Sequence, residues 1–221
     1  MEGTFSLIGR SEREDAMGIA VATAAFAVGK RVPHARYRIG AVATQGRTDA
    51  SYGERGLTLL ELGLPPDRVL PLLTAEDPES ERRQIIMMDW LGRTAVHTGT
   101  KTDPERADAT SRDCIAAGNT LHSPAVVAAM IDAFQERPDG PLGERLVAAL
   151  QAGQAAGGDQ RGATSAALLV VSAVDIRERM GATIDLRVDD HAEPVAELCR
   201  LLRGYERWKE GYRQRLRTEG A

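Results

Sequence analysis

Short apolar runs broken by charge, glycine and proline run the length of the chain, and the period of each run predicts its element. Near the start, "TFSLIGR" places Thr4 and Ser6 on one face of a strand and Phe5 and Leu7 on the other. "MGIAVATAAF" and "IGAVATQG" follow as two further strand-like runs. "YGERGLTLLELGL" and "PPDRVLPLLTAED" read as two short helices. "RQIIMMDWLGRTAVHTG" reads as a hairpin, with strands over Ile85 to Met88 and Thr94 to Thr98 and a turn through Leu91 and Gly92. The polar stretch "TKTDPERADATSRD" reads as a loop with a short helical turn, and "CIAAGNTL" resumes strand character.

In the second half, "SPAVVAAMIDAFQE" carries helix start signals, with Ser123 as N-cap and Pro124 at the first helical position. "GPLGERLVAALQAGQAAGG" is a helix closed by Gly157 and Gly158. "SAALLVVSA" and "TIDLRVDD" are strands. An extended C-terminal helix over 192–217 shows Val195, Leu198, Leu202, Tyr205, Trp208 and Tyr212 at spacings of three and four, an apolar stripe. Grouped strands and grouped helices, without strict βαβ alternation, predict an α+β fold of mainly antiparallel sheets with helices packed outside. No linker or repeat divides the chain, so residues 1–221 read as a single domain.

Composition narrows the function classes. With 221 residues, 43% apolar, the chain can bury a sizeable core. A net charge of −4 excludes the basic surplus that nucleic-acid binding demands. "SAALLVVSAV" is too short to span a bilayer, and charged residues from Glu2 to Asp15 interrupt any signal peptide, so the expected location is cytoplasmic, with no membrane partner. Cys114 and Cys199, the only cysteines, predict neither a disulfide nor a zinc site, and Cys199 reads as a small core residue.

Candidate chemistry is sparse. "AAGGDQRGATSAALLV" lacks a Walker lysine and the GxGxxG spacing, but sets Asp159 and Arg161 at a strand mouth. "DLRVDDHAEP" offers Asp189 and His191 on one strand face, too few ligands for a metal site. There Asp190 and Glu193 read as a capping box for the last helix. The four histidines, His34, His97, His122 and His191, are scattered, and no GxSxG elbow is present, so a conventional triad is not supported. Thr44 and Gln45 close a strand, where they could bind substrate or satisfy backbone groups.

Taken together, "TFSLIGR", "GIAVATAAFAVGKRVPHAR", "GAVATQG", "YGERGLTLLELGL", "AAGN", "AGQAAGGDQRGATSAALLVV" and "IDLRVDDHAEPVAELCRLL" resemble the domain of unknown function 1028 family, from Thr4 to about Tyr205. The resemblance implies a four-layer αββα sandwich like that of the N-terminal-nucleophile hydrolases, most of which cleave amide bonds. It implies Thr4 as nucleophile, Asn119 as an oxyanion donor, and Thr44, Gln45, Asp159, Arg161 and Asp189 as pocket residues for a small amide or peptide-like substrate. No metal or other cofactor is expected, and a homo-oligomer is. Such a threonine uses its own α-amine as base, with a pKa of ~7.7–8.0. Here the sequence departs from the family pattern: Met1, Glu2 and Gly3 precede Thr4, so its nitrogen is an amide, and Ala24 stands where related sequences carry a lysine. The departure leaves three possibilities: cleavage of the Gly3–Thr4 bond, a different translation start, or a protein that does not use Thr4. A non-catalytic small-molecule-binding or accessory protein is the alternative reading. A third is an enzyme that works through His97 or Asp159.

Overall fold

The first two strand-like runs pair as a hairpin, β1 (Thr4–Ser11) with β2 (Ala16–Thr23), and the computed structural model builds outward from it, describing residues 3–173 and 183–219. The next strands are β3 (Pro33–Arg36) and β4 (Gly40–Gly46), followed by helices α1 (Ser51–Glu61) and α2 (Pro66–Ala75). Four more strands come next: β5 (Arg83–Asp89), β6 (Thr94–Thr98), β7 (Ala107–Ser111) and β8 (Cys114–Asn119). The chain then runs through α3 (Ala125–Gln135), α4 (Leu142–Ala155), β9 (Ser165–Ser172), β10 (Thr183–Val188) and α5 (Pro194–Glu219).

Among the described residues the strands form two antiparallel sheets. One has the order β10-β9-β2-β1-β8-β7 and the other β3-β4-β5-β6. Period-two alternation sorts the side chains into layers. Ile8, Met17, Ile19, Ala43, Ile86 and Ala117 fill the space between the sheets. Phe5, Leu7, Leu146 and Leu198 fill the space between the larger sheet and α3, α4 and α5. Val42, Ile85, Leu57 and Leu73 fill that between the smaller sheet and α1 and α2. The layers therefore run helices, sheet, sheet, helices. On the helical side of the larger sheet, Gly9 and Gly18 are register partners. A Cβ on Gly9 would stand 2.5 Å from the Phe134 ring, and one on Gly18 would stand 2.8 Å from Leu146. The pair leaves a bare patch into which both side chains pack.

The structure corrects three local readings and adds a strand. The stretch taken as a loop holds β7, an edge strand whose Asp108 and Thr110 are exposed, which is why its alternation carries little apolar signal. Strand β3, short and opened by Pro33, was not legible as a strand. Ser123 does not cap α3 with its side chain; Pro124 holds the N-cap position, and Val126 N bonds the Ser123 carbonyl at 3.2 Å. Asp190 and Glu193 form no capping box; Glu193 N donates instead to His191 Nδ1 at 2.9 Å, just before α5. The end of α4 follows expectation, with Gly158 N donating to the Gly153 carbonyl at 3.0 Å.

The stripe on α5 divides in two. Val195, Leu198 and Leu202 are buried in the core, whereas Trp208 is 48% exposed, with its ring stacked on that of Tyr212 and tilted against that of Tyr205. Cys114 and Cys199 are free thiols, and burial pushes that of Cys114 above its ordinary pKa. No helix among the described residues is long and apolar enough to cross a membrane.

Leu146 is fully buried at the bare glycine patch. Leu146→Ala is expected to cost ~2–5 kcal/mol through lost burial and the cavity left behind, read as a lower urea midpoint at unchanged slope.

Candidate active site

The larger sheet ends in a row of polar side chains. Backbone pairing sets Thr4 opposite Asn119 on one side and Thr23 on the other, and sets Thr23 opposite Ser165. All four share the parity of residues that fill the layer between the sheets, so all four face the smaller sheet. From that sheet Gln45 and Gln84, themselves register partners, face back. At this end the apolar layer gives way to polar groups that are each at most 2% exposed.

Buried polar groups need partners, and these have them. Gln45 Nε2 donates to Gln84 Oε1 at 2.8 Å, to the Ala117 carbonyl at 3.2 Å and to the Thr4 carbonyl at 3.4 Å. Ser6 Oγ donates to Gln45 Oε1 at 2.6 Å. Gln84 Nε2 donates to the Gly118 carbonyl at 3.1 Å, and Asn119 Nδ2 donates to Gln84 Oε1 at 3.1 Å. The two glutamines thus tie the sheets together beneath Thr4.

A second cluster grips the residue before Thr4. Thr4 Oγ1 donates to Thr23 Oγ1 at 3.1 Å, and Thr23 Oγ1 donates to the Gly3 carbonyl. Arg161 Nη2 donates to the same carbonyl at 3.1 Å. Asp159, its side chain fully buried, holds the guanidinium at 2.7 Å and 3.0 Å and also accepts Ala24 N at 3.0 Å. The fork geometry of Arg161 against a buried carboxylate fixes the donor that reaches Gly3.

Of the residues named from sequence, Thr4, Asn119, Gln45, Asp159 and Arg161 converge here. Thr44 does not: strand alternation turns it to the helical side of its sheet, where Oγ1 donates to the Asp49 carbonyl at 3.2 Å. Asp189 lies beyond the end of β10, with β9 and β2 between it and Thr4, so roughly 14 Å away at ordinary strand spacing. Its carboxylate is paired with Arg187 at 3.2 Å. Sequence reasoning missed Thr23, Ser165, Gln84 and Ser6. The available signal was a polar residue at the edge of an apolar alternation, as in "AVAT" and "RQII". Two of the histidines are engaged elsewhere: His97 Nε2 meets the Ser80 carbonyl at 2.9 Å and His34 Nε2 the Arg31 carbonyl at 3.2 Å. Among the described residues no group of three or more His, Cys, Asp or Glu is placed to hold a metal ion.

A pocket of about 320 Å³ opens against Asn119, walled by Arg47, Arg82, Lys101 and Asp103. Arg83 buttresses the strand start behind it: its guanidinium donates to the Arg47 carbonyl and is paired with Asp77. The hydrogen bond from Arg83 holds the Asp77 carboxyl down at about 2 against an ordinary 3.8, and the Glu79 N–H and Tyr52 hydroxyl work in the same direction against burial.

Residues 4–198 match the model of a family of unknown function, DUF1028. A crystal structure of a DUF1028 protein from Silicibacter pomeroyi is similar to this chain, with a TM-score of 0.83 and 32% identity over 91% of this chain and 85% of that one. No curated protein is similar to it.

Two outcomes follow from these hydrogen bonds. Gln45→Leu strands the Ser6 hydroxyl in the interior and leaves Gln84 Oε1 with Asn119 as its remaining donor, and is expected to cost ~1–3 kcal/mol of unfolding free energy. Asp77 titrates lower folded than unfolded, so between the two values the unfolded chain binds more protons. The contribution of Asp77 is therefore complete above about pH 4 and is lost as pH falls toward 2. Asp77→Asn should flatten the fall in urea midpoint across that window relative to the parent protein.

Proposed function

The chain belongs to the DUF1028 family, a family of unknown function, and on that premise we propose that it is an amide-bond hydrolase of the N-terminal-nucleophile type, with Thr4 as nucleophile. Facing antiparallel sheets between helical layers agree with that fold. The observation that carries the reading is the grip on the Gly3 carbonyl by Thr23 and Arg161, beside the Thr4 hydroxyl.

The same contacts supply a route to a free Thr4 amine. Thr4 Oγ1 attacks the Gly3 carbonyl carbon. Its proton passes to Thr23 Oγ1 while the Thr23 proton passes to the Gly3 oxygen, which Arg161 also stabilises as charge develops. The proton on the former Gly3 oxygen passes to the Thr4 nitrogen as the Gly3–Thr4 C–N bond breaks, which restores the carbonyl as an ester on Thr4 Oγ1 and leaves a free amine. Water then hydrolyses the ester, releasing Gly3 as a carboxylate. In turnover the amine takes the Thr4 hydroxyl proton, Oγ1 attacks a substrate amide carbonyl, and Asn119 Nδ2 donates to the oxyanion. The leaving amine departs with the proton, and water releases the acyl group.

One observation favours the alternative, a binding protein that keeps the fold. With Gly3 attached, Thr4 has no basic nitrogen to take its hydroxyl proton, so this form of the chain lacks the base that turnover requires.

Intact mass of protein made without an N-terminal tag tests the reading directly. The expected result is loss of Met1, Glu2 and Gly3, with slower loss in Thr23→Val. Thr4→Ala should lower kcat on a 4-nitroanilide panel by on the order of 10³-fold or more. A mass that retains all three residues, together with turnover unchanged in Thr4→Ala, overturns it. Retention with ligand-induced thermal stabilisation and no product points to the binding role.

A further inference from the structure

The geometry points to a binding site for a carboxylate on the acyl side of the substrate, formed by Arg82 and Lys101 at the pocket against Asn119. This assignment of substrate class rests on the reading of Thr4 as nucleophile, because Asn119 is the register partner of Thr4 and so joins the pocket to the hydroxyl.

The charges in this pocket are not balanced. Arg47 is paired with Glu79 at 2.8 Å, and Asp103 accepts the Thr120 hydroxyl at 2.5 Å. Arg82 and Lys101 form no ion pair among the described residues, and both are exposed. Glu81 attracts Lys101, but its carboxylate is already bonded to Thr100 N at 2.8 Å and Thr100 Oγ1 at 2.6 Å. With Asp103 and Glu79 set against Arg47, Arg82 and Lys101, the site keeps one net positive charge, a local reversal of sign in a chain whose net charge is −4.

The backbone that carries the two cations is also held in place. Arg82 closes the 3₁₀ turn before β5, and Lys101 lies in the loop after β6. Lys101 N donates to the Glu81 carbonyl at 2.7 Å, and Gly99 N donates to the Arg83 carbonyl at 2.9 Å. A Cβ on Gly99 would fall 2.3 Å from the Glu81 backbone, so only glycine permits this contact. Arg106 Nη1 donates to the carbonyls of Thr100 and Thr102, at 3.1 Å and 2.7 Å, which braces the loop on either side of Lys101. The braced backbone removes the cost of ordering these loops when an anion arrives, so the main ordering left is that of the two side chains. At about 320 Å³ the pocket has room for a small acid.

Isothermal titration of the full chain with glutarate and with its neutral isostere glutaramide tests the site. Glutarate should bind at least ~10-fold more tightly, and Arg82→Ala combined with Lys101→Ala should remove that advantage. Both side chains are exposed, so an unchanged thermal midpoint is expected and certifies the variant fold. Equal affinity for the two ligands, no binding of either, or glutarate affinity unchanged in the double variant overturns the site. Turnover of glutaryl-4-nitroanilide against valeryl-4-nitroanilide separates this inference from the reading beneath it. Equal kcat/KM on both keeps the hydrolase and overturns the carboxylate preference. Glutarate binding that depends on Arg82 and Lys101, without hydrolysis of either anilide, supports the anion site and overturns the hydrolase.

Discussion

Strand β1 is hydrogen-bonded along both edges, to β2 and to β8, and a slip of one residue would turn Thr4, Ser6 and Ile8 away from the second sheet. Phe5 and Leu7 would then lose their packing beneath α3 and α4. Because the side-chain period of a strand is two, no intermediate register preserves either layer. The apolar set of β1 therefore fixes which way Thr4 faces, and pairing on both sides fixes that Thr23 and Asn119 flank it. The polar cluster around Gly3 and the sheet-to-sheet amides are consequences of that register.

A polar end on a buried layer is costly unless every group is matched. Gln45 and Gln84 meet this demand at one end of the otherwise apolar layer between the sheets. The same logic applies to Asp159, whose fully buried carboxylate is paired with Arg161 and two backbone N–H groups. Arg161 is thereby presented at 3.1 Å from the Gly3 oxygen without needing to reorganise. Rigid donors aimed at one carbonyl are what acyl chemistry requires, and also what a tight N-terminal anchor requires. Which of the two operates depends on the covalent state of the Gly3–Thr4 bond.

The basic pocket lies on the other flank of Asn119, and its cations come from loops of the smaller sheet. Thr4 and its hydroxyl partner belong to the larger sheet. The candidate site is thus shared between the layers, and the glutamine bridge holds the two halves in register. Binding and nucleophile can then vary separately within one fold.

The alternating and helical periods of the sequence determined most elements, because β1, β2, β4, β5 and β8 carry unbroken apolar faces and α1 to α5 carry apolar stripes. They also determined that Thr4 and Ser6 share a face, and the chemical condition that Gly3 imposes on Thr4. Edge strands β3 and β7 escaped, since an edge strand need not bury a continuous face. Only the tertiary structure decided which polar residues meet. Thr44 and Gln45 are adjacent in sequence and point to opposite layers, whereas Thr4 and Gln84 lie 80 positions apart in sequence and meet the same Gln45 amide. Sheet order and register set those distances, and they arise from pairings between segments far apart in the chain, which no local pattern encodes.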